Sequence, residues 1–508
     1  MMRTEVSSSG TPEELLKDLR SLSARAGDSD DADRSLSDRV LAALAVSGDH
    51  NDELVRSVCE FAVDPDPHVS QRGQQILFST IAETLGDSFD DRAAGMHDAV
   101  FARVIEFCRL LPGGSTLDTR LRRVGVKNRA DCLARKAKLA HARSLSIEER
   151  ARVRKVFVLS RVTLGADVAI TSIVLQKIQR LFPDADRHLV GPPAVAQILS
   201  GWAGASVIEQ PYDRRGLLAR LGSWQDATDI LDREMMGLEN CECLIIDPDS
   251  RLTQLGLLPV ARAAVPCLFF ESRTYRAPGL ETLGELTAHW LNRILPSEDN
   301  ELIWPGVALS SADVTHARTI VHALKRSGTP GIVAVNLGVG GNTRKRIPGD
   351  FELQLIRGIL SEGSAVVLDH GAGEDEPRVR AIVNALRSEG RSVGDVEGTR
   401  FREAAPLQAG CDVLAYRGPV GPLAALVGVS DLYVGYDSAF QHIAAAQGIP
   451  VIDIFVNPPN PVFPMRWRPH STAAVMAIQT TADTTGSSRA LALLFDAYRQ
   501  IRQAAEVR

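Results

Sequence analysis

The sequence predicts an α/β fold, with two consecutive doubly wound, Rossmann-like domains preceded by an all-α region. Three observations support this prediction. From residue 154 onwards, short apolar runs typical of buried parallel strands alternate with amphipathic helical segments. Residues 38–150 instead repeat apolar residues at helical spacing only. A polar, proline-containing stretch near 296–330 divides the alternating part into two series, which indicates two domains.

The composition is that of a multidomain globular chain. A chain of 508 residues with 44% hydrophobic content is too long to form a single core. The formal net charge is −6, and Lys and Arg are scattered along the sequence. The opening MMRTEVSSSG lacks an apolar leader pattern, and no stretch approaches the roughly 18 apolar residues of a membrane span. We therefore expect a cytoplasmic protein with reduced thiols, no nucleic-acid partner and no integral membrane association.

The N-terminal third is predicted to be helical. Residues 1–37 are rich in Ser, Asp and Gly and are expected to be partly disordered, with one helix from Pro12 to Ala26. Residues 38–152 form a predicted helical domain, in which Gly, Asp and Pro separate the apolar-periodic segments. The segment DPDPHVSQRGQQIL resembles the turn and second helix of a HEAT repeat, so we describe this domain as HEAT-like.

The two α/β domains are predicted at 153–325 and 326–482. In the first, KVFVL, ASVIEQ, ECLIIDPDS and VPCLFFES are strand candidates, interleaved with helix-like DATDILDREMM and LTQLGLLPVARAA. The second opens with GIVAVNLGVG and ends with IPVIDIFV. A final helix at 483–508 is expected to pack back towards the first of these domains. Ligands of such sheets bind at the carboxyl ends of the strands, so a cleft between the two domains is the expected site.

Three loops follow strands at that expected edge. In LSRVTLGADVAITS, Asp167 either caps the helix that begins there or serves as a general base facing the cleft. In NLGVGGNTRKRIPGDF, glycines and cations suit phosphate oxygens, although a solvated basic turn explains them equally well. In VGYDSAFQHIAAAQGIP, Ser438 and Gln441 have capping-box spacing and Gly448 suits a helix end, which predicts a helix from about Ala439 to Gln447. Its N-terminus would suit an anion.

Four segments occur in an order that is specific when they are taken together: VFVLSRVTLGADVAITSIVLQKIQRLFPDADRHLVG, LIIDPDSRLTQLGLLPVARA, NTRKRIPGDFELQLIRGI and DLYVGYDSAFQHIAAAQGIPVIDIFVNPPNPVFPMRWRPH. With them, the chain from about 155 to 469 resembles family 9 of the GT-B glycosyltransferases, the family of the ADP-heptose lipopolysaccharide heptosyltransferases. The last segment is the most specific of the four. The helical domain lies outside the resemblance.

The resemblance implies roles for individual residues. Asp167 takes the position of the general base that deprotonates an acceptor hydroxyl. One acid among Glu374, Asp375 and Glu376 would lie near the donor ribose, and we take Glu376, although the sequence does not separate the three. The other donor-binding candidates are Asn342, Thr343, Lys345, Arg346, Asp437, Ser438, Ala439 and His442. The acceptor-side candidates are Asp247, Asp249 and Arg251.

The implied reaction is a metal-independent transfer, with inversion, from a nucleotide-sugar donor. An ADP-linked heptose is the first choice of donor, no cofactor is expected, and the acceptor is unknown. We hypothesise that the helical domain recognises a peptide, protein or specialised-metabolite acceptor. Two alternatives remain open: a non-catalytic interaction scaffold and another GT-B enzyme, such as a nucleotide-sugar epimerase.

The sequence departs from the family pattern at three places. The turn is stretched to Gly165-Ala166-Asp167, Ala439 replaces the usual glycine after the serine, and Asn457 stands where the family has glycine. The added methyl group of Ala439 falls where a phosphate would approach the helix.

Overall fold

A computed structural model of the protein describes residues 39, 42–44, 50–141, 143–202, 204–297, 302–324, 330–340, 342–371, 373, 375–403 and 410–506. The helix expected from Pro12 to Ala26 lies outside them. No helix in these ranges is long and apolar enough to cross a bilayer.

The described residues before 153 form helices and the turns that join them, as predicted. A π-helical turn at Gln75–Ala82 lies between α2 and α3. Asp66 caps α2, because its carboxylate accepts from His68 N at 2.8 Å. The α-helices there are α1 (His50–Ala62), α2 (Pro67–Gln74), α3 (Glu83–Asp87), α4 (Asp91–Leu110), α5 (Ser115–Arg123), α6 (Arg129–Ala140) and α7 (Ile147–Arg152).

Strands and helices then alternate. Up to residue 324 the elements are β1 (Lys155–Leu159), α8 (Leu164–Ala166), a π-helix (Asp167–Thr171), α9 (Ser172–Leu181), β2 (Asp186–Gly191), α10 (Pro193–Leu199), β3 (Ala205–Glu209), α11 (Leu217–Glu234), β4 (Cys243–Asp247), β5 (Cys267–Phe269), α12 (Leu283–Ile294) and α13 (Ser311–Leu324). Short 3-10 turns occupy Asn240–Glu242 and Arg251–Thr253.

From residue 330 the elements are β6 (Ile332–Asn336), a 3-10 turn (Thr343–Lys345), α14 (Phe351–Ser361), β7 (Ala365–Asp369), α15 (Asp375–Ser388), β8 (Val393–Glu397), a 3-10 turn (Gly398–Glu403), β9 (Val413–Arg417), α16 (Val420–Gly428), β10 (Leu432–Tyr436), α17 (Ala439–Ala446), β11 (Val451–Val456), α18 (Val462–Trp467), β12 (Val475–Thr480) and α19 (Thr484–Glu506).

The chain forms two compact units that do not follow the order of the sequence. The first contains residues 1–142, 211–240 and 249–275, and the second contains 143–210, 241–248 and 276–508. The helical residues up to 142 therefore share a unit with two later segments, whereas α7 belongs to the second unit. In the first unit, Lys136 Nζ bonds Asp98 at 2.7 Å and pairs with Glu271 at 3.0 Å. These contacts hold α4 and α6 to the segment after β5.

The second unit contains two parallel sheets. In the first sheet β3, β2, β1 and β4 lie side by side in that order, and every pair among them is parallel. The second sheet has the order β12-β11-β10-β6-β7-β9-β8, and its pairs are also parallel. The strands β11, β10, β6 and β7 are neighbours in that order and run parallel, so the loops that follow them lie at the same edge of the sheet.

Two expectations about elements were wrong. The segment LTQLGLLPVARAA is not helical beyond the turn Arg251–Thr253, because Gln254 and Leu255 have positive φ and Pro259 follows. Helix α19 packs on the second sheet and not on the first: Leu494, Ala497 and Tyr498 lie in the core with the strands β6, β10 and β11. An apolar face does not by itself select between two sheets.

Candidate functional site

Helix α17 begins at the carboxyl end of β10. The sequence predicted this helix and its end, and both are confirmed, since Gly448 follows with φ +73°. The predicted capping box is not formed. Gln441 Nε2 donates to Asp437 Oδ1 at 2.8 Å, and Ser438 Oγ donates to Asn336 Oδ1 at 3.5 Å. No side chain in the described ranges caps the first turn of α17, so its N–H groups are suited to an anion.

Lys345 and Asp437 meet beside this helix. Lys345 Nζ donates to Asp437 Oδ2 at 2.5 Å and lies 5.1 Å from the centroid of the Phe463 ring. In the same 3-10 turn Thr343 is exposed, whereas Asn342 Oδ1 accepts from Arg344 N at 3.2 Å. The structure thus brings together one predicted phosphate-binding cation and the predicted first residues of the helix, although they are far apart in sequence.

Arg346 belongs to a different group of charges. It pairs with Asp375, and its Nε lies 3.8 Å from Glu352 Oε1. Arg378 joins both acids and donates to Leu337 O at 2.9 Å. This cluster connects the starts of α14 and α15 to the loop after β6, and it occupies the Arg346 guanidinium that the sequence assigned to the donor.

Among the three acids predicted near the ribose, Glu376 lies beside the end of β9. Its carboxylate pairs with Arg380 and lies 3.2 Å from Arg417 Nη2. Asp375 is committed to the cluster with Arg346, and Glu374 lies outside the described residues. Glu376 is thus the more accessible of the two acids that the structure describes, with a side chain 28% exposed against 13% for Asp375.

Asp167 is wholly buried in the loop after β1. Its Oδ1 accepts from Arg161 N at 2.7 Å and from Thr171 Oγ1 at 2.8 Å, and its Oδ2 accepts from Ser160 Oγ at 2.7 Å. Burial raises its pKa to about 6, while these hydrogen bonds act in the opposite direction. The carboxylate therefore organises the turn at 160–162 and is poised near neutral pH.

The same loop lies against helix α17. A Cβ added to Gly165 would lie 3.0 Å from Ala439 Cα and 3.2 Å from His442 Cδ2. The His442 ring is buried and forms an edge contact with Trp467, with centroids 6.0 Å apart. Burial lowers the pKa of His442 to about 4, so it is a neutral packing residue at neutral pH. The glycine leaves space for the methyl group of Ala439.

The sequence missed a polar row across the second sheet. Asn336 is in register with Gly435, and Gly435 is in register with Asp453, so their side-chain positions face the same side of the sheet. Asn336 Nδ2 donates to Asp369 Oδ2 at 2.6 Å. The Tyr433 hydroxyl occupies the space that a side chain at Gly435 would need. Four neighbouring strands thus place polar groups next to Asp437 and Ser438.

Asp453 is the least satisfied member of this row. It is fully buried, and neither carboxylate oxygen accepts a well-formed hydrogen bond from a described residue. Burial, followed by the charge of Asp437, raises its pKa well above the usual range, against the effect of Lys345. Burial likewise raises the pKa of Asp369 to about 6. The one feature of the sequence that could have indicated this polar row is Asp453, a single acid inside the apolar strand VIDIFV.

The acceptor-side candidates are divided between the two units. Asp247, in the second unit, is buried at the end of β4. Asp249, in the first, has φ +68° and its Oδ2 accepts from Ser272 Oγ at 2.8 Å. Arg251, also in the first unit, opens the short turn after β4. The structure gives Asp249 a structural role within its own unit.

Comparisons with known proteins agree with this geometry. The family model described as glycosyltransferase family 9 (heptosyltransferase) matches residues 354–491, which contain α17, Glu376 and the polar acids of β7 and β11. Residues 354–491 are thus similar to glycosyltransferase family 9. The match confirms the predicted resemblance to this family and the prediction of a glycosyltransferase. A search of curated proteins found no match.

The similarity to solved structures extends beyond residues 354–491. A family 9 glycosyltransferase from Veillonella parvula is similar over 69% of this chain and 97% of its own, at 14% identity and a TM-score of 0.50, which shows the two-domain GT-B fold. Also similar are the E. coli ADP-heptose lipopolysaccharide heptosyltransferase II (69% and 99%, 15% identity, TM-score 0.46) and the E. coli heptosyltransferase WaaC with ADP (68% and 99%, 15% identity, TM-score 0.46). The two parallel sheets and the similarity to the Veillonella protein confirm the α/β fold class predicted from the sequence.

Proposed function

We propose that the protein transfers a sugar, with inversion, from a nucleotide-sugar donor to a hydroxyl or other nucleophile of an acceptor. An ADP-linked heptose is the first donor to test. The contact between Gly165 and helix α17 carries the proposal, because it brings the loop of Asp167 against the helix that begins beside the Lys345–Asp437 pair. A candidate base and a candidate diphosphate site therefore adjoin within one compact unit.

The reaction requires stabilisation of the negative charge on the departing nucleoside diphosphate. As the acceptor oxygen attacks the anomeric carbon, the bond from that carbon to the phosphate oxygen breaks and its electron pair departs with the nucleoside diphosphate. Lys345 and the first turn of α17 offer positive charge to that group. In this proposal they act without a metal ion, so a chelator should leave turnover unchanged. The diphosphate competes with Asp437 for Lys345.

The proton of the acceptor hydroxyl goes to Asp167 in this scheme. A carboxylate with a pKa of about 6 is mostly ionised at pH 7 and still basic enough to accept a proton. Since both of its oxygens are engaged by residues 160, 161 and 171, the turn at 160–162 must open when the acceptor binds. Because these hydrogen bonds leave neither oxygen of Asp167 available to an acceptor, they also favour the alternative, a non-catalytic scaffold.

A donor panel tests the proposal. ADP-, UDP-, GDP- and dTDP-linked sugars are offered to the full chain, and release of the nucleoside diphosphate is measured with and without candidate acceptors. Lys345→Gln should reduce release at least tenfold, whereas Arg344→Gln, its exposed neighbour in the same turn, should not. Release that needs no acceptor would indicate hydrolysis or epimerase-type chemistry, and no release with any donor would favour the scaffold.

The helical region is proposed to contribute to acceptor recognition. Because it shares a compact unit with 211–240 and 249–275, removing residues 1–150 would disrupt that unit as a whole. Point substitutions on its surface are therefore the appropriate test. A raised acceptor KM with unchanged donor affinity would support this role, and an unchanged acceptor KM across such variants would argue against it.

A further inference from the structure

Asp453 is an acid in the middle of the apolar strand β11, and no step of the proposed reaction uses it. Its neighbours Ile452 and Ile454 lie in the core shared with α14 and α19, so the Asp453 side chain points to the opposite face of the sheet. On that face the ring of Phe455 lies 6.2 Å from the ring of Phe463 in α18. Asp453 is fully buried there, and neither carboxylate oxygen accepts a well-formed hydrogen bond from a described residue.

Asp437 shares this face with Asp453. Gly435 is in register with Asp453, and the pairing of β10 with β11 continues beyond β10, since Asp437 N donates to Ile454 O at 3.1 Å. Asp437 lies two residues after Gly435, so its side chain projects to the same side of the sheet as that of Asp453. The Tyr433 hydroxyl fills the space over Gly435, and burial raises the pKa of this phenol, so it stays neutral. Two acids of adjacent strands therefore face one small region.

The ammonium group of Lys345 lies over the same region. The 3-10 turn Thr343–Lys345 packs against β11. Lys345 Nζ donates to Asp437 Oδ2 at 2.5 Å and lies 5.1 Å from the centroid of the Phe463 ring. Lys345 thus pairs with Asp437, whereas neither oxygen of Asp453 accepts a hydrogen bond from it.

The other elements packed on this face bring no second cation to Asp453 among the described residues. His442 of α17 is neutral at pH 7, because burial lowers its pKa to about 4. Arg466, the charged residue of α18, donates to Glu281 O at 3.0 Å. Strand β12 presents Ala477 in register with Asp453.

These surroundings favour a proton on Asp453. A buried carboxylate without hydrogen-bond donors is costly, and such a group takes up a proton instead of staying ionised. Burial, followed by the charge of Asp437, raises the pKa of Asp453 well above its usual range, and the charge of Lys345 acts in the opposite direction.

We propose that Asp453 is a positioning residue of the diphosphate site, whose bound proton keeps Lys345 available to the diphosphate. With Asp453 neutral, Lys345 faces the single negative charge of Asp437 and can move to a diphosphate oxygen. With Asp453 ionised, two carboxylates would hold Lys345 and repel the incoming anion. A bound diphosphate in turn favours the proton on Asp453, so the anion and the proton, taken from solvent, bind together. This role rests on the proposed function, which supplies the diphosphate.

ADP is the probe. Its dissociation constant is measured by calorimetry with the full chain from pH 7.5 to 9.5, where a phosphate group with a pKa of about 6 is fully ionised. In wild type Kd should rise about tenfold over this range, as Asp453 loses its proton. Binding should take up protons, which makes the measured heat depend on the ionisation enthalpy of the buffer.

Asp453→Asn replaces the acid by a neutral group of the same shape. Its Kd for ADP should change less than twofold between pH 7.5 and 9.5, and proton uptake should disappear. Asp369→Asn is the matched control, since Asp369 is a buried acid of the same polar row whose pKa of about 6 keeps it ionised throughout the range. This control should keep the wild-type pH dependence, whatever its affinity.

A second readout needs no ligand. Infrared difference spectroscopy at pH 8 should show the carbonyl band of a protonated carboxyl group in wild type that is absent from Asp453→Asn. A missing band would overturn the role of Asp453, and so would an equal pH dependence of ADP affinity in the two proteins. Binding with unchanged pH dependence removes only this role. Failure of ADP, UDP, GDP and dTDP to bind at all would remove the proposed function and this role with it.

Discussion

Gly165 and Ala439 lie in contact although 274 positions separate them in the sequence: a Cβ at Gly165 would lie 3.0 Å from Ala439 Cα. The loop after the first strand of one sheet thus touches the helix that follows β10 of the other. This contact depends on the absence of a side chain at 165. It connects the candidate base to the candidate diphosphate helix.

Gly165→Ala should therefore weaken both stability and donor binding. The new methyl group must displace α17 or the loop, and overpacking of this kind costs about 1–3 kcal/mol of unfolding free energy. Urea unfolding and titration with nucleoside diphosphate would measure the two effects. Gly222→Ala, in helix α11 with open space around it, is the control and should be neutral or stabilising. Wild-type diphosphate affinity in Gly165→Ala would show that the contact does not matter to the site.

Asp167→Asn should lower kcat roughly 100-fold or more, as expected when a general base is lost. Because the base works when deprotonated, wild-type activity should rise with pH through about 6, following the pKa of Asp167, and this limb should vanish in the variant. A pH–rate profile and a parallel diphosphate titration separate catalysis from donor binding. Thr171→Val removes one hydrogen bond to the carboxylate and serves as a control that should retain turnover. Full turnover in Asp167→Asn would remove the base assignment.

Asp453 should make the protein less stable as pH rises. Its pKa is raised on folding, so the native state binds more protons than the unfolded chain and stability falls as pH rises above the usual Asp value of 3.8. Asp453→Asn removes this titration. Urea unfolding at pH 5 and pH 8 should show a smaller loss between the two values in the variant than in wild type. Asp350→Asn, at an exposed carboxylate, should keep the wild-type difference. Identical pH dependence in all three proteins would contradict the role of Asp453.

Lys136→Met should destabilise the first unit by about 3–5 kcal/mol, because it leaves the partly buried carboxylates of Asp98 and Glu271 without their cation. Chemical denaturation measures this loss, and the exposed Lys138→Met is the matched control. A change below about 1 kcal/mol, in the range of an exposed ion pair, would show that this contact contributes little to holding α4 and α6 to the segment after β5.

The sequence by itself determined the fold class, the helical N-terminal region, most strands and the helix at 439–446. These features depend on local patterns: apolar runs for buried parallel strands, helical periodicity and the glycine that ends α17. It also placed Asp167, Lys345 and Asp437 after strands, where the carboxyl edge of a parallel sheet is expected.

Only the tertiary structure decided which of these residues meet. The row of Asn336, Gly435 and Asp453 exists because β6 lies beside β10, and β10 beside β11, in a strand order that the sequence does not follow. Arg346 was assigned to the donor from its place in the loop, yet Asp375 and Glu352 hold it. Such contacts depend on long-range packing, which has no periodic signature along the chain.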